Sequence, residues 1–284
     1  MDLLHEILQP GRKTAIVDVG AAALDGPRPY ELLLEHGLCT VVGFDPQAEL
    51  WPQSRPGVPR FGLETYLPHI IGDGSARTLR VCASPGMTSL YEPDEAVFDL
   101  FPGMREWCKI VREEKVATRR LDDLDAVREI DVLKIDAQGS ELAVIRGARE
   151  KLSRCVCLQV EVQFIRLYKH QPMFRDVDLA LADLGFVLHT FCDVNRRMIL
   201  PFRYEPDPLY AAMRQIFSGD AVYVRDFAKL GKLPDESIKQ LAIIAHYCFG
   251  SFDLTYRCLD ELVVRGRVDA AHLTRYEKSL GDAA

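Results

Sequence analysis

Three side chains in this 284-residue chain stand where proton-transfer chemistry could be done. Asp136 follows the apolar run Val132-Leu133-Lys134-Ile135, Glu161 lies in the apolar stretch Val156 to Phe164, and His189 sits inside Phe186 to Phe191. Short apolar runs of this kind read as strands covered on both faces, and in open α/β sheets ligands collect at the carboxyl ends of such strands. A carboxylate or imidazole held there can accept a proton from an attacking hydroxyl, an effect typically worth about 10²–10⁴-fold in rate. Histidine has the unperturbed pKa suited to that task. Asp136, Glu161 and His189 are therefore the catalytic candidates. Each also has a plainer reading: a turn-capping carboxylate, an ion-pair partner and a structural strand histidine.

A second group of residues suits ligand binding. Thr14 to Val19 reads as a strand, and Asp18-Val19-Gly20-Ala21 as the turn that leaves it. A glycine there lets backbone come close, and the helix that follows offers unpaired N–H groups. Val41 to Phe44 reads as the next strand, ending in Asp45-Pro46. An acidic residue at the end of a second strand can accept hydrogen bonds from the two hydroxyls of a ribose. The G-x-G-x-x-G fingerprint of dinucleotide sites is absent, which argues against a nicotinamide cofactor.

These residues need a scaffold, and the pattern is that of an α/β domain. Gly139 permits the turn after Asp136, Ser140 is placed to cap a helix, and Leu142, Ile145, Ala148 and Leu152 share one helical face. Leu79 to Ala83 is expected as the third strand, Phe174 to Leu184 as a helix, and Asp220 to Arg225 as a last strand entering antiparallel. Glu92 to Thr118 and Asn195 to Ser218 are longer than plain connections and are expected to act as lids or substrate walls. Trp51 to Pro59 reads as a loop. Residues 1–13 form a lead-in helix to a domain ending near residue 228, and residues 229–284 a helical extension with faces Ile238, Leu241, Ala245, Cys248 and Leu254, Cys258, Leu262.

Composition narrows the class. The net charge of −7 argues against a nucleic-acid binder, which needs clustered Lys and Arg. No apolar run reaches the roughly 20 residues that span a bilayer, and the first residues lack the basic start of a signal peptide, so a cytoplasmic protein is expected. The eight cysteines lack paired zinc spacing and read as reduced, mostly buried thiols. No metal requirement is expected, because a divalent ion wants several oxygen ligands together and Asp136 and Glu161 would supply only two.

The stretch Lys134-Ile135-Asp136, Gly139, Glu141-Leu142 and Gly147-Ala148 resembles the hallmark of the FkbM-type methyltransferases. Val116 to Leu124 resembles the family's lead-in to it. Gln138 and Gln163 depart from the usual Glu and His, Asp45 stands for the usual Glu, and the loop Gly20 to Gly26 has a displaced second glycine. The resemblance implies a Rossmann-like class I methyltransferase fold with a seven-stranded sheet, and S-adenosyl-L-methionine as cofactor. It further implies O-methylation of a hydroxyl on a sugar, glycan or natural product. Carried over residue by residue, it puts Asp18, Gly20, Ala21, Asp45 and Asp136 around the cofactor, with Ala83 and Ser84 beside the adenine. The alternative is a catalytically weak module of the same fold, docking other proteins or a second copy through the C-terminal helices.

Overall fold

The computed structural model describes residues 3–21, 28–46, 62–202 and 213–281. The Ala22 to Gly26 part of the glycine loop, the Trp51 to Pro59 loop and the middle of the Asn195 to Ser218 segment lie outside the described residues. In chain order, α1 (Leu3–Leu8), β1 (Thr14–Val19), α2 (Glu31–Glu35), β2 (Cys39–Phe44) and β3 (Glu64–Leu67) come first. Next are β4 (Ala76–Cys82), the short helices α3 (Glu95–Phe98) and α4 (Met104–Trp107), and β5 (Ile110–Ala117). β6 (Val132–Ile135), α5 (Glu141–Arg146), β7 (Cys157–Gln163), α6 (Phe174–Asp183), β8 (Phe186–Arg197) and β9 (Gln215–Arg225) complete the sheet region. The chain then forms α7 (Asp235–Phe249), α8 (Phe252–Val264) and α9 (Ala270–Gly281).

Seven strands form one sheet in the order β3-β2-β1-β6-β7-β9-β8. β1 pairs parallel with β2 on one side and β6 on the other, so the chain reverses its winding between β1 and β6. Ligand crevices form at such a switch point. β9 runs antiparallel between β7 and β8, as the pattern of the last strand predicts. This is the α/β sheet that the resemblance implies.

The third strand of that sheet is not the expected one. Leu79 to Ala83 belongs largely to β4, which pairs antiparallel with β5 in a separate two-stranded sheet. The edge position is taken by β3, Glu-Thr-Tyr-Leu, pairing with β2. β3 carries no apolar run, because an edge strand needs only one flank of contacts. Its Glu64 is buried through Arg28 Nη1, 2.5 Å away, rather than through apolar packing.

Side chains alternate across the sheet. Val17, Val19, Leu133, Ile135, Leu158 and Val160 pack with α5 and α6 on one face. Ile16, Val41, Val132, Cys157, Val222 and Val224 form a second core on the other face with α1, α2, α7 and α8. The C-terminal helices, set apart as an extension in the sequence, thus share a core with the sheet. Gln240 of α7 is fully buried and ties this layer down: its Oε1 accepts the Thr14 hydroxyl at 2.7 Å, and its Nε2 donates to the Arg12 carbonyl at 3.2 Å. The inward faces expected for α7 and α8 are present and are spent on this core. Phe252, Tyr256 and Val264 remain exposed on the outside of α8.

Candidate active site

Two residues further along the same strands, the face that packs on α7 changes character. Ile16, Val132 and Cys157 give way to Asp18, Lys134 and Gln159, followed by Glu161 and Gln163 on β7 and Asp220 on β9. Here the helical cover ends and a cavity of about 880 Å³ begins, lined by all six of those polar residues. Its size lies within the range of cofactor and substrate pockets.

At the end of β1, Asp18 is 1% exposed, and both of its oxygens are engaged. Lys134 Nζ lies 3.1 Å from Oδ1, and the Tyr30 hydroxyl donates to Oδ2 at 2.5 Å. Burial alone would lower the Lys134 pKa, but Asp18 and Asp136 outweigh it and hold the ammonium charged. The lysine of the Lys-Ile-Asp motif is therefore a site residue to which the sequence pattern, placing it in a strand and in the hallmark, assigned no role. Its signal was available: a charged residue inside a buried parallel strand needs a partner.

Gly20 has φ +81°, and a Cβ there would lie 2.0 Å from the Asp136 carbonyl oxygen. The glycine is required because the ends of β1 and β6 touch, with Asp136 N donating to Val19 O at 2.9 Å. Gly20 N and Ala21 N both donate to the Phe44 carbonyl, at 3.0 and 3.1 Å, which joins the end of β2 to the same junction. Asp45 follows, 8% exposed and part of the cavity wall. His69, stacked on Phe44 with centroids 6.3 Å apart, lines the cavity beyond the end of β3.

Ala83 and Ser84 come from the end of β4 instead of a main-sheet strand. Ala83 N donates to Lys109 O at 2.9 Å and Ser84 N to Trp107 O at 3.1 Å. Ser84 and Trp107 reach the cavity from this hairpin, whereas Ala83 is not among the described lining residues. The position beside the end of the third sheet strand belongs to His69, Ile70 and Ile71.

Asp136 and Glu161 are brought together. Gln138 Nε2 donates to Asp136 Oδ1 at 2.8 Å and to Glu161 Oε2 at 3.1 Å, bridging the two carboxyls. Gln138 adopts φ +46°, and its carbonyl accepts the Ser89 hydroxyl at 2.6 Å. Burial first, then Asp136, pushes the Glu161 pKa well above the carboxylate range, and burial with Asp136 also raises Asp220. Beneath the turn, Glu141 Oε1 accepts Ala137 N at 3.1 Å and Gly139 N at 3.0 Å. Glu141 is the cap expected from Ser140, whose hydroxyl is buried and makes no hydrogen bond. Burial raises the Glu141 pKa to about 7 despite those two donors.

His189 is not brought to the site. It faces the junction of α7 and α8, with Nε2 2.8 Å from Ser251 Oγ, and burial lowers its pKa. Its strand position was legible, but the side of β8 that it faces was not.

The strand-end residues fit a ligand with an adenosyl and an amino-acid end. The cavity contains a tight β1–β6 junction, a carboxylate at the end of β2 and a carboxylate at the end of β6. Among solved structures, the chain is similar to the crystal structure of magnesium protoporphyrin IX methyltransferase from Synechocystis PCC 6803 with bound S-adenosylmethionine. The identity is 13% over 76% of this chain and 71% of that one, with a TM-score of 0.35. A comparison with curated proteins finds no match. The model of the methyltransferase FkbM domain matches residues 18–188, from the Asp18 that Lys134 pairs with to the first residues of β8. With more than half of its length matched, the chain belongs to the FkbM methyltransferase family, whose methyl donor is S-adenosyl-L-methionine.

Proposed function

We propose that the enzyme methylates a hydroxyl oxygen of a sugar, glycan or sugar-bearing natural product. The observation that carries this reading is the bridged carboxyl pair Asp136 and Glu161, set between the donor-side strand ends and a wall of amides and carboxylates. When bound, S-adenosyl-L-methionine supplies a methyl group already activated by a sulfonium. Asp45 would hold its ribose hydroxyls, Gly20, Ala21 and Asp136 its amino-acid end, and Ser84 with His69 its base. Asp18 acts from below, fixing Lys134 and the strand ends.

Positioning accounts for much of such a reaction, since well-oriented reactants can gain roughly 7–11 kcal/mol. An alcohol acceptor must also lose a proton. Asp136 takes that proton, and Glu161, whose burial beside Asp136 favours the protonated carboxyl, donates a hydrogen bond to a neighbouring acceptor oxygen. Gln138 holds both carboxyls in place, so the departure from the family's Glu leaves the pair intact. Trp107, from the hairpin, provides an aromatic face for a sugar ring. Eight free cysteines accord with a reducing, cytoplasmic setting.

The test is methyl transfer from labelled donor to a panel of sugars, glycans and natural-product alcohols, with S-adenosylhomocysteine affinity measured in parallel. Asp136→Asn should lower kcat by about 10²–10⁴-fold while the protein stays folded, and Asp45→Ala should instead weaken S-adenosylhomocysteine binding. Transfer confined to nitrogen or carbon acceptors would overturn the reading, as would an unchanged kcat in Asp136→Asn.

A further inference from the structure

The acceptor side of the cavity has more hydrogen-bond acceptors than its own donors satisfy. Gln159, Glu161 and Gln163 alternate along β7 and all face the cavity. Gln159 and Gln163 are each 5% exposed, yet the Oε1 of each has no hydrogen-bond partner. Buried polar atoms are rarely left in that state, because an unmade buried hydrogen bond is costly. The two oxygens are four residues apart on a strand, roughly 13 Å at 3.3 Å per residue, a span longer than one sugar ring.

Carboxyls outnumber cations among the described residues beside this row. Asp220 lies opposite Glu161 in the register, and Asp193 lies opposite Asp220. Among the described residues, none of Asp136, Glu161, Asp193 and Asp220 is in an ion pair, although all four line the cavity. The described cations that line the cavity are Lys134, Arg28 and Arg197. Lys134 pairs with Asp18, Arg28 with Glu31 and Glu64, and the Arg197 guanidinium lies 5.6 Å from the Phe217 ring centroid. A neutral polyol could satisfy the two amide oxygens but would leave the carboxyls facing one another. A protonated amine supplies both charge and donors, since an ammonium donates three hydrogen bonds and accepts none. Burial first, and then the neighbouring carboxyls, raises the pKa values of Glu161 and Asp220, with Lys134 opposing the rise at Asp220.

We infer that the acceptor is an amine-bearing saccharide or cyclitol. Its ammonium sits against Asp220 and Asp193, its other donors reach the Gln159 and Gln163 amide oxygens, and the hydroxyl to be methylated lies at Asp136. This deepens the O-methyltransferase reading and rests on it.

The probes are a glucosamine trisaccharide, its fully N-acetylated counterpart and cellotriose, each titrated calorimetrically into the full chain saturated with S-adenosylhomocysteine. The amine should bind at least tenfold more tightly than either neutral trisaccharide. That advantage should disappear in Asp220→Asn and shrink in Gln163→Met, with S-adenosylhomocysteine affinity and melting temperature retained in both. Equal or tighter binding of a neutral trisaccharide overturns the inference. So does an amine advantage that survives both substitutions, or failure of the amine to bind. Absence of S-adenosylhomocysteine binding in the first titration would instead strike the methyltransferase reading beneath it.

Discussion

Ile16 and Asp18 lie two residues apart on one face of β1, yet Ile16 is sealed in the core with α7, whereas Asp18 looks into the cavity and is held by Lys134 and Tyr30. The same change runs along β6, from Val132 to Lys134, and along β7, from Cys157 to Gln159. The amino-terminal half of this face is cohesive and dry; the carboxyl-terminal half is polar and must be paired group by group. A strand in this molecule therefore has no single character, and the edge of the helical layer decides which half is core and which half is site.

Substitutions on the two halves should separate stability from binding, and the junction between them should lose both. Gly20→Ala is expected to have the largest effect, because a methyl group there meets the Asp136 carbonyl and positive φ is disfavoured. Denaturant unfolding should show a loss of about 4 kcal/mol or more, accompanied by loss of S-adenosylhomocysteine binding. Retained affinity would mean that the β1–β6 contact does not shape the cofactor site. In the dry half, Leu241→Ala should cost about 2–5 kcal/mol with affinity unchanged per folded molecule. A matching loss of affinity would show that α7 reaches into the site.

The pH dependence sharpens the contrast further. Glu141 has its folded pKa raised by burial from 4.5 to about 7. Its contribution to stability is therefore fully present below about pH 4.5 and is lost as pH rises through about 7. Between those limits the wild type should lose roughly 3 kcal/mol relative to Glu141→Gln, at 1.36 kcal/mol per pKa unit. Parallel stability curves for the two proteins would show that the Glu141 carboxyl is not desolvated beneath the turn. The smallest effect is expected for His189→Asn: kcat within twofold of wild type, and a stability loss of about 0.5–1.5 kcal/mol from the bond to Ser251. A large fall in kcat would return His189 to the candidates.

Much of this arrangement was legible in the sequence, for reasons particular to each element. The run before Asp136, the turn at Gly20, the final antiparallel strand and the two helical faces now seen in α7 and α8 all carry strong local patterns, and all are present. β3 was missed because four residues with one buried glutamate give no apolar signal, whereas β4 has strand character without membership of the main sheet. The capping role passed from Ser140 to Glu141 because a longer side chain can reach back to two amides of the turn. Pairings between distant segments, such as Lys134 with Asp18 or His189 with Ser251, are set by strand register and helix docking, which single-chain periodicity does not encode.

The shared core also governs the order in which the protein can be made. Until α7 and α8 have been synthesised, the face bearing Ile16, Val41, Val132 and Val224 lacks its cover. A ribosome adding about 5–20 residues per second needs roughly 3–10 s to pass from residue 229 to residue 281. During that interval the aliphatic side chains of this face lack the helical layer that buries them in the folded chain. Slower translation of its last helices should favour aggregation.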